Sequence, residues 1–183
     1  MKIAVNFIAF QIGWFACILG ASNGMPWIGL LVGALVISFH LFSVDKPAKE
    51  LNLILYAVVI GIVLDSLLVM SGWLSYPNGI LLDGTAPYWI LMLWALFAST
   101  LNVSMRWMHD KYWVAAIFGA VGGPLSYLAG ARLGAVTFIE LQPALLALAL
   151  GWALAMPCLI RLSKQFDGVS IPTSRYNMEK VGV

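Results

Sequence analysis

The chain has 183 residues, of which 62% are apolar and only 10% are charged, and its mean hydropathy is +0.93. A soluble domain carries roughly 25% charged residues, so this composition excludes an ordinary water-soluble protein. The net charge of +2 does not indicate a nucleic-acid partner. We therefore predict an all-α, polytopic membrane helix bundle in contact with the lipid bilayer.

Six apolar segments approach the ~20 residues that a helix needs to cross a bilayer. They cover residues 4–22, 26–42, 51–72, 86–104, 112–131 and 136–162. The first segment follows Lys2 as in a signal peptide, but its length and polar residues favour a retained span. We predict a single six-helix transmembrane domain over residues 1–162 and a polar, loosely ordered cytoplasmic tail over residues 163–183.

Basic residues are distributed very unequally between the two sides of the predicted bundle. With the N-terminus inside, nine of the ten lie on the inner side, namely Lys2, Lys46, Lys49, Arg106, Lys111, Arg161, Lys164, Arg175 and Lys180. Only Arg132 lies outside. Because cytoplasmic connections carry the excess of Lys and Arg, we expect both termini to be cytoplasmic. This pattern favours a multi-pass membrane protein with its basic connections on the cytoplasmic side.

Ionisable side chains within apolar segments indicate function, because they are costly in lipid and usually face the bundle interior or a wet cavity. Asp65 lies in the third segment, Arg132 closes the fifth and Glu140 lies about one turn into the sixth, all in the outer half of the membrane. We predict a periplasm-facing ligand site formed by these three charges together with Ser66 and Tyr127. Alternatively, Arg132 pairs with Glu140 only to pin two helices together, or extends to lipid phosphate.

Small residues at helical spacing predict close packing of membrane helices. They lie in the stretch 119–134 and around Asp65, and the predicted packing residues are Gly61, Gly119, Gly122, Gly123, Pro124 and Ser126. Pro124 removes a backbone donor, so the fifth helix is either broken there, with freed groups that line a site, or only kinked. Ser99 and Asn102 are expected to join helices by hydrogen bonds, and His40 and His109 to be solvated near the inner interface.

The longest outer loop, 72–85, contains the predicted tight turn Tyr76-Pro-Asn-Gly79, and we expect this loop to lie on or dip into the outer interface.

Cys17 and Cys158 have no nearby ligand partners and are interpreted as core residues. No metal site and no cofactor is predicted. The sequence contains no P-loop, no H-E-x-x-H and no G-x-S-x-G, so no catalytic residue is assigned and an enzyme is disfavoured.

Three sets of residues resemble an uncharacterised bacterial inner-membrane family, the domain-of-unknown-function 2878 family, whose members are sometimes labelled permeases. They are Phe10-Gln-Ile-Gly-Trp14 with Cys17, Trp94-Ala-Leu-Phe-Ala98 leading to Leu101-Asn102, and Gly122-Gly-Pro-Leu-Ser-Tyr127 running into Ala129-Gly-Ala-Arg-Leu-Gly134. The resemblance extends to about residue 162 and implies a small polytopic inner-membrane protein without known catalytic residues. The number of spans is also similar to that of the substrate-binding subunits of energy-coupling-factor transporters.

Three hypotheses about function remain open. The first is a permease-like or substrate-binding membrane component that binds a small molecule or lipid headgroup. The second is a membrane-embedded enzyme acting on lipid, with Asp65 and Glu140 sharing acid and base work and Arg132 holding a phosphate. The third is a structural or assembly partner of other membrane proteins, bound through the small-residue stripes.

Overall fold

In a computed structural model that describes residues 3–169, six α-helices form the bundle. Their bounds are α1 Ile3–Ser22, α2 Trp27–Phe42, α3 Pro47–Met70, α4 Tyr88–Leu101, α5 Tyr112–Arg132 and α6 Leu141–Gln165. Two short strands, β1 Leu74–Ser75 and β2 Thr137–Phe138, pair antiparallel, and a 3₁₀ turn covers Arg106–Met108. The predicted all-α bundle is confirmed.

Four of these helices, α1, α3, α5 and α6, are long and apolar enough to cross a membrane, so the chain is a multi-pass membrane protein. The helix α4 has only 14 residues, fewer than the predicted 86–104. It lies in the middle of the bundle, packed against α1, α2, α3 and α6. A helix enclosed in this way does not need to match the thickness of the lipid, which explains its short length.

The start of α6 differs from the prediction, because residues 136–140 are extended rather than helical. Thr137 and Phe138 pair with β1, and the backbone N–H of Ile139 donates to Trp73 O at 3.0 Å. At its other end α6 continues to Gln165, three residues beyond the boundary predicted at 162. Residues 166–169 then pack back onto the bundle, and the rest of the predicted tail, 170–183, lies outside the described residues.

We name the two ends of the bundle after the chain segments that lie there. The terminal end holds the start of α1 and the end of α6, and the loop end holds the connection 71–87. At the terminal end, Asn6 Nδ2 of α1 donates to the backbone carbonyl of Ser99 in α4 at 3.0 Å. The Ser99 hydroxyl donates to Leu96 O within α4, so the prediction that this side chain joins helices is wrong. The assignment of this end to the cytoplasm remains a prediction.

The helices do not all pack against their neighbours to the same extent. The helix α5 packs mainly on α6, and α1 packs on α2 and α4. A Cβ on Gly119 would lie 2.2 Å from the carbonyl oxygen of Trp152, so glycine is what allows α5 and α6 to approach this closely. In contrast, α1 and α5 scarcely touch each other. The bundle is therefore open along the side between α1 and α5.

Candidate functional site

A carboxylate, that of Asp65, is wholly buried in the last two turns of α3. The Nε1–H of Trp94 donates to Asp65 Oδ2 at 2.8 Å, and the Tyr76 hydroxyl donates to Oδ1 at 3.0 Å. The Tyr127 hydroxyl donates to the same Oδ1. Burying a carboxyl group is costly unless its oxygens are hydrogen-bonded, so these three neutral donors stabilise Asp65 without a cation.

The indole of Trp94 reaches Asp65 because α3 carries a glycine one turn earlier. A Cβ on Gly61 would lie 2.2 Å from Trp94 Cδ1, so only glycine leaves room for the indole at this crossing. The same indole stacks on Trp152 of α6, with ring centroids 4.5 Å apart and an angle of 11° between the planes. Gly61, predicted as a packing residue, therefore also determines where a donor to Asp65 lies.

The connection between α3 and α4 closes over Asp65 at the loop end. Its residues Leu74 and Tyr76 are buried, and Asn78 Nδ2 donates to the carbonyl oxygen of Ala21 in α1 at 2.8 Å. The Trp89 Nε1–H donates to Asn78 O at 2.9 Å, and the pairing of β1 with β2 ties the same segment to the start of α6. Residues 73–79, which we call the cap, are thus packed onto the loop end of the bundle over Asp65.

The predicted cluster of Asp65, Arg132 and Glu140 does not form. Arg132 and Glu140 are both exposed, and within residues 3–169 neither takes part in an ion pair. The reason is that neutral hydroxyl and indole donors already occupy both oxygens of Asp65, while the two other charges lie at helix ends where water can solvate them. The alternative in which Arg132 pairs with Glu140 across the turn is also wrong for the described residues.

The two other predicted site residues, Tyr127 and Ser66, do not lie at the same place. Tyr127 lies at Asp65, as described above. Ser66 lies one residue further along α3, where its hydroxyl oxygen accepts the backbone N–H of Ala86 at 3.0 Å. That bond fixes the end of the connection 71–87 just before α4. Ser66 is therefore used to hold the loop rather than left free for a ligand.

A groove runs along the open side of the bundle between α1 and α5. Its wider part has a volume of about 400 Å³, and it continues into a narrower pocket of about 70 Å³ that reaches Trp94 and Tyr127. The two parts share several walls, including Phe10 and Phe97. We call this feature the lateral groove, and its inner aromatic lining consists of Phe10, Trp14, Trp94, Phe97, Tyr127 and Trp152.

The small residues of α5 divide between the α6 interface and the lateral groove. Gly119 and Gly123 face Trp152, since a Cβ on Gly123 would lie 2.4 Å from Trp152 Cγ. Gly122 instead borders the groove, where an added Cβ would meet nothing closer than a Phe118 ring carbon at 3.8 Å. Ser126, also predicted for packing, lines both parts of the groove.

The helix α5 is continuous through Pro124. The alternative in which this proline breaks the span and frees backbone groups to line a site is therefore wrong. A proline in a helix interior removes one hydrogen bond and typically kinks the helix without ending it. The groove is accordingly lined by side chains and glycine Cα atoms, rather than by an unwound backbone.

A second buried carboxylate, that of Glu50, lies at the terminal end. Its Oε1 accepts Asn102 Nδ2 and the backbone N–H of Gly168, both at 2.8 Å, and its Oε2 lies 3.1 Å from His40 Nε2. His40 is only 1% exposed, so its predicted solvation is wrong. Arg106 donates to Asp167 at 2.6 Å, which further holds residues 166–169 against the bundle.

The second predicted solvated histidine, His109, is half-buried at the same end, and its Nε2 lies 3.1 Å from the Ser163 hydroxyl oxygen. Burial lowers the pKa of His109, with the nearby Arg106 guanidinium acting in the same direction. Across residues 3–169 no three His, Cys, Asp or Glu side chains are grouped to hold a metal ion. The terminal end is therefore a hydrogen-bonded junction between helices and the segment 166–169.

Comparison with known proteins agrees with the resemblance in the sequence. Residues 3–158 match the family model described as Protein of unknown function (DUF2878). The chain belongs to this family. No curated protein and no solved structure matches it. The two strongest site features of this DUF2878 member are the buried Asp65 carboxylate with its three donors and the lateral groove beside it.

Proposed function

We propose that this DUF2878 chain is a permease-like, substrate-binding component of the bacterial inner membrane, whose site is the lateral groove. The observation that carries the proposal is the aromatic groove itself, left open between α1 and α5 and extending to Trp94 and Tyr127. Ligand pockets are typically concave, mostly apolar and furnished with a few polar groups. The ligand would be an apolar molecule that enters sideways from the lipid.

The groove is closed at its inner end, which favours a protein that binds its ligand over one that forms an open path across the membrane. Its narrow part ends at Trp94 and Tyr127, and both residues donate to Asp65. Asp65 also accepts the hydroxyl of Tyr76 from the cap, so the cap and the groove share one carboxylate. A ligand could pass toward the loop end only after these hydrogen bonds open, which is why a binding component is the better supported form of the permease hypothesis.

The two other hypotheses have less support. An enzyme that pairs Asp65 with Glu140 needs both carboxyl groups at one site, whereas Asp65 is buried and Glu140 is exposed. A partner-binding role for the α5 stripe needs that stripe to be free, whereas Gly119 and Gly123 are already packed against Trp152. No specific observation favours either of these hypotheses over the binding proposal.

A larger side chain in the groove tests the proposal. We expect Gly122→Phe to lower the affinity of the purified protein for radiolabelled farnesane, a branched hydrocarbon, by about tenfold or more, a loss of about 1.4 kcal/mol. The phenyl ring would occupy the groove, because the space beside Gly122 is open. Saturation binding in detergent micelles measures the effect.

The matched control is Val121→Phe on the neighbouring residue, whose side chain is 55% exposed and does not line the groove. This variant should bind farnesane like the unmodified protein. Equal binding by Gly122→Phe and Val121→Phe would contradict the proposal. The absence of saturable binding by the unmodified protein would contradict it as well.

A further inference from the structure

The lateral groove contains two polar side chains that no other part of the bundle satisfies. Gln11 of α1 and Ser126 of α5 both line its wider part. Within residues 3–169 neither side chain has a hydrogen-bond partner. A polar group that faces hydrocarbon without a partner costs free energy, so a ligand that hydrogen-bonds to these two residues gains more than a bare hydrocarbon does.

Two other polar groups, at the narrow end of the groove, are already committed. The Tyr127 hydroxyl and the Trp94 indole N–H both donate to Asp65, which lies behind them and does not itself line the groove. No Lys, Arg, Asp or Glu is among the described residues that line either part. A phosphate or carboxylate bound here would have no countercharge in a medium where an unpaired charge is very costly.

From this combination we infer the chemical class of the ligand, an inference that rests on the proposed function. The ligand is a neutral, largely hydrocarbon molecule with a hydroxyl or carbonyl group that hydrogen-bonds to Gln11 and Ser126. Both side chains can donate and accept, so either kind of oxygen fits them. The hydrocarbon part of the ligand packs against the aromatic rings that continue toward Trp94.

An acyl chain of an ordinary phospholipid is a poorer occupant. It would fill the apolar volume but leave Gln11 and Ser126 without partners. Its headgroup belongs at the membrane surface, whereas Gln11 lies eight residues along α1 from Ile3, about 12 Å at 1.5 Å per residue. The depth of Gln11 therefore favours a molecule whose polar group is itself buried in the bilayer.

The inference is tested with three probes that share one isoprenoid chain: farnesane without a polar group, farnesol with a hydroxyl, and farnesyl diphosphate with a charged head. We expect the unmodified protein to bind farnesol about three- to tenfold more tightly than farnesane, the range expected for about one net hydrogen bond. Farnesyl diphosphate should bind more weakly than farnesol. The double variant Gln11→Leu, Ser126→Ala should lose this preference and bind farnesol and farnesane with equal affinity.

The outcomes separate this inference from the proposed function. Equal affinity for farnesol and farnesane, in the unmodified protein and in the double variant, would indicate a lipid hydrocarbon only and would overturn the inference while the groove remained a binding site. Binding of farnesyl diphosphate as tight as that of farnesol would also overturn it. If Gly122→Phe weakened the binding of none of the probes, the proposed function itself would fail.

Discussion

The substitution Asp65→Ala is expected to lower the free energy of unfolding by about 3 kcal/mol or more. It leaves the hydroxyls of Tyr76 and Tyr127 and the indole N–H of Trp94 buried without an acceptor, and each such group costs about 1–3 kcal/mol. Lost packing around the missing carboxyl group adds to this. Denaturant unfolding of the purified protein in mixed micelles measures the change.

Two further variants show whether the loss arises from the hydrogen bonds. Tyr76→Phe removes one donor and leaves the carboxyl group with two others, so it should cost only about 1 kcal/mol. Combined with Asp65→Ala, Tyr76→Phe should partly restore stability, since one orphaned donor is removed. If Asp65→Ala proves no more destabilising than Tyr76→Phe, the carboxylate is not what holds the cap and the groove together.

The substitution Glu50→Ala is expected to release residues 166–169 from the terminal end. The backbone N–H of Gly168 would lose its acceptor, as would the Asn102 amide, and His40 would lose the carboxylate beside it. We expect hydrogen exchange of the Gly168 amide to become at least about tenfold faster, because a net hydrogen bond to a charged group contributes about 1.5–3 kcal/mol. Exchange followed by mass spectrometry of the C-terminal peptide measures this.

Lys49→Ala is the matched control, because Lys49 is the neighbour of Glu50 in the first turn of α3 and is exposed. Exchange at Gly168 should be unchanged in this variant. Similar acceleration by Lys49→Ala and Glu50→Ala would indicate a general loosening of the α3 start. No acceleration in either variant would show that Glu50 does not hold the segment 166–169.

The helices could be predicted closely from the sequence because hydropathy and length are local properties. The bounds of α1, α2 and α5 agree with the predicted spans to within one residue. The start of α6 and both ends of α4 could not be predicted in the same way. They depend on tertiary contacts, namely the pairing of β1 with β2 and the enclosure of α4 by its neighbours.

Asp65 could be predicted as a functional candidate because a carboxyl group in an apolar segment is conspicuous. Its partners could not be predicted from charge. Similar depth in the membrane favoured Arg132 and Glu140, but the oxygens of Asp65 are occupied by neutral donors. Tyr76 was missed because a tyrosine hydroxyl in a loop follows no periodic pattern, and its only signal was the adjoining Pro-Asn-Gly bend.

Glu50 was missed for a different reason. It follows Lys46 and Lys49 in a segment that has the composition of a solvated charged loop. In the structure α3 begins at Pro47, and its first turn directs Glu50 into the bundle while Lys49 remains exposed. The side chain that becomes buried is decided by the rotation of the helix, which a short charged segment does not reveal.

The lateral groove could not be predicted because it depends on two helices failing to pack. The sequence indicated small residues on α5 but not that Gly119 and Gly123 serve α6 while Gly122 and Ser126 border open space. The motif Gly122-Gly-Pro-Leu-Ser-Tyr127 nevertheless contributes to each of these features. Its residues alternate between supporting α6, lining the groove and reaching Asp65.

The most direct test of the lateral groove as a ligand site is photolabelling in lipid nanodiscs with a farnesol analogue that carries an aliphatic diazirine, with the adducts mapped by mass spectrometry. We expect the adducts to concentrate on Phe10, Trp14 and Ser126, and to disappear in Gly122→Phe but not in Val121→Phe. Adducts spread over the lipid-exposed Leu35 and Leu154, which are 71% and 76% exposed, with the groove residues unlabelled, would contradict the proposed site.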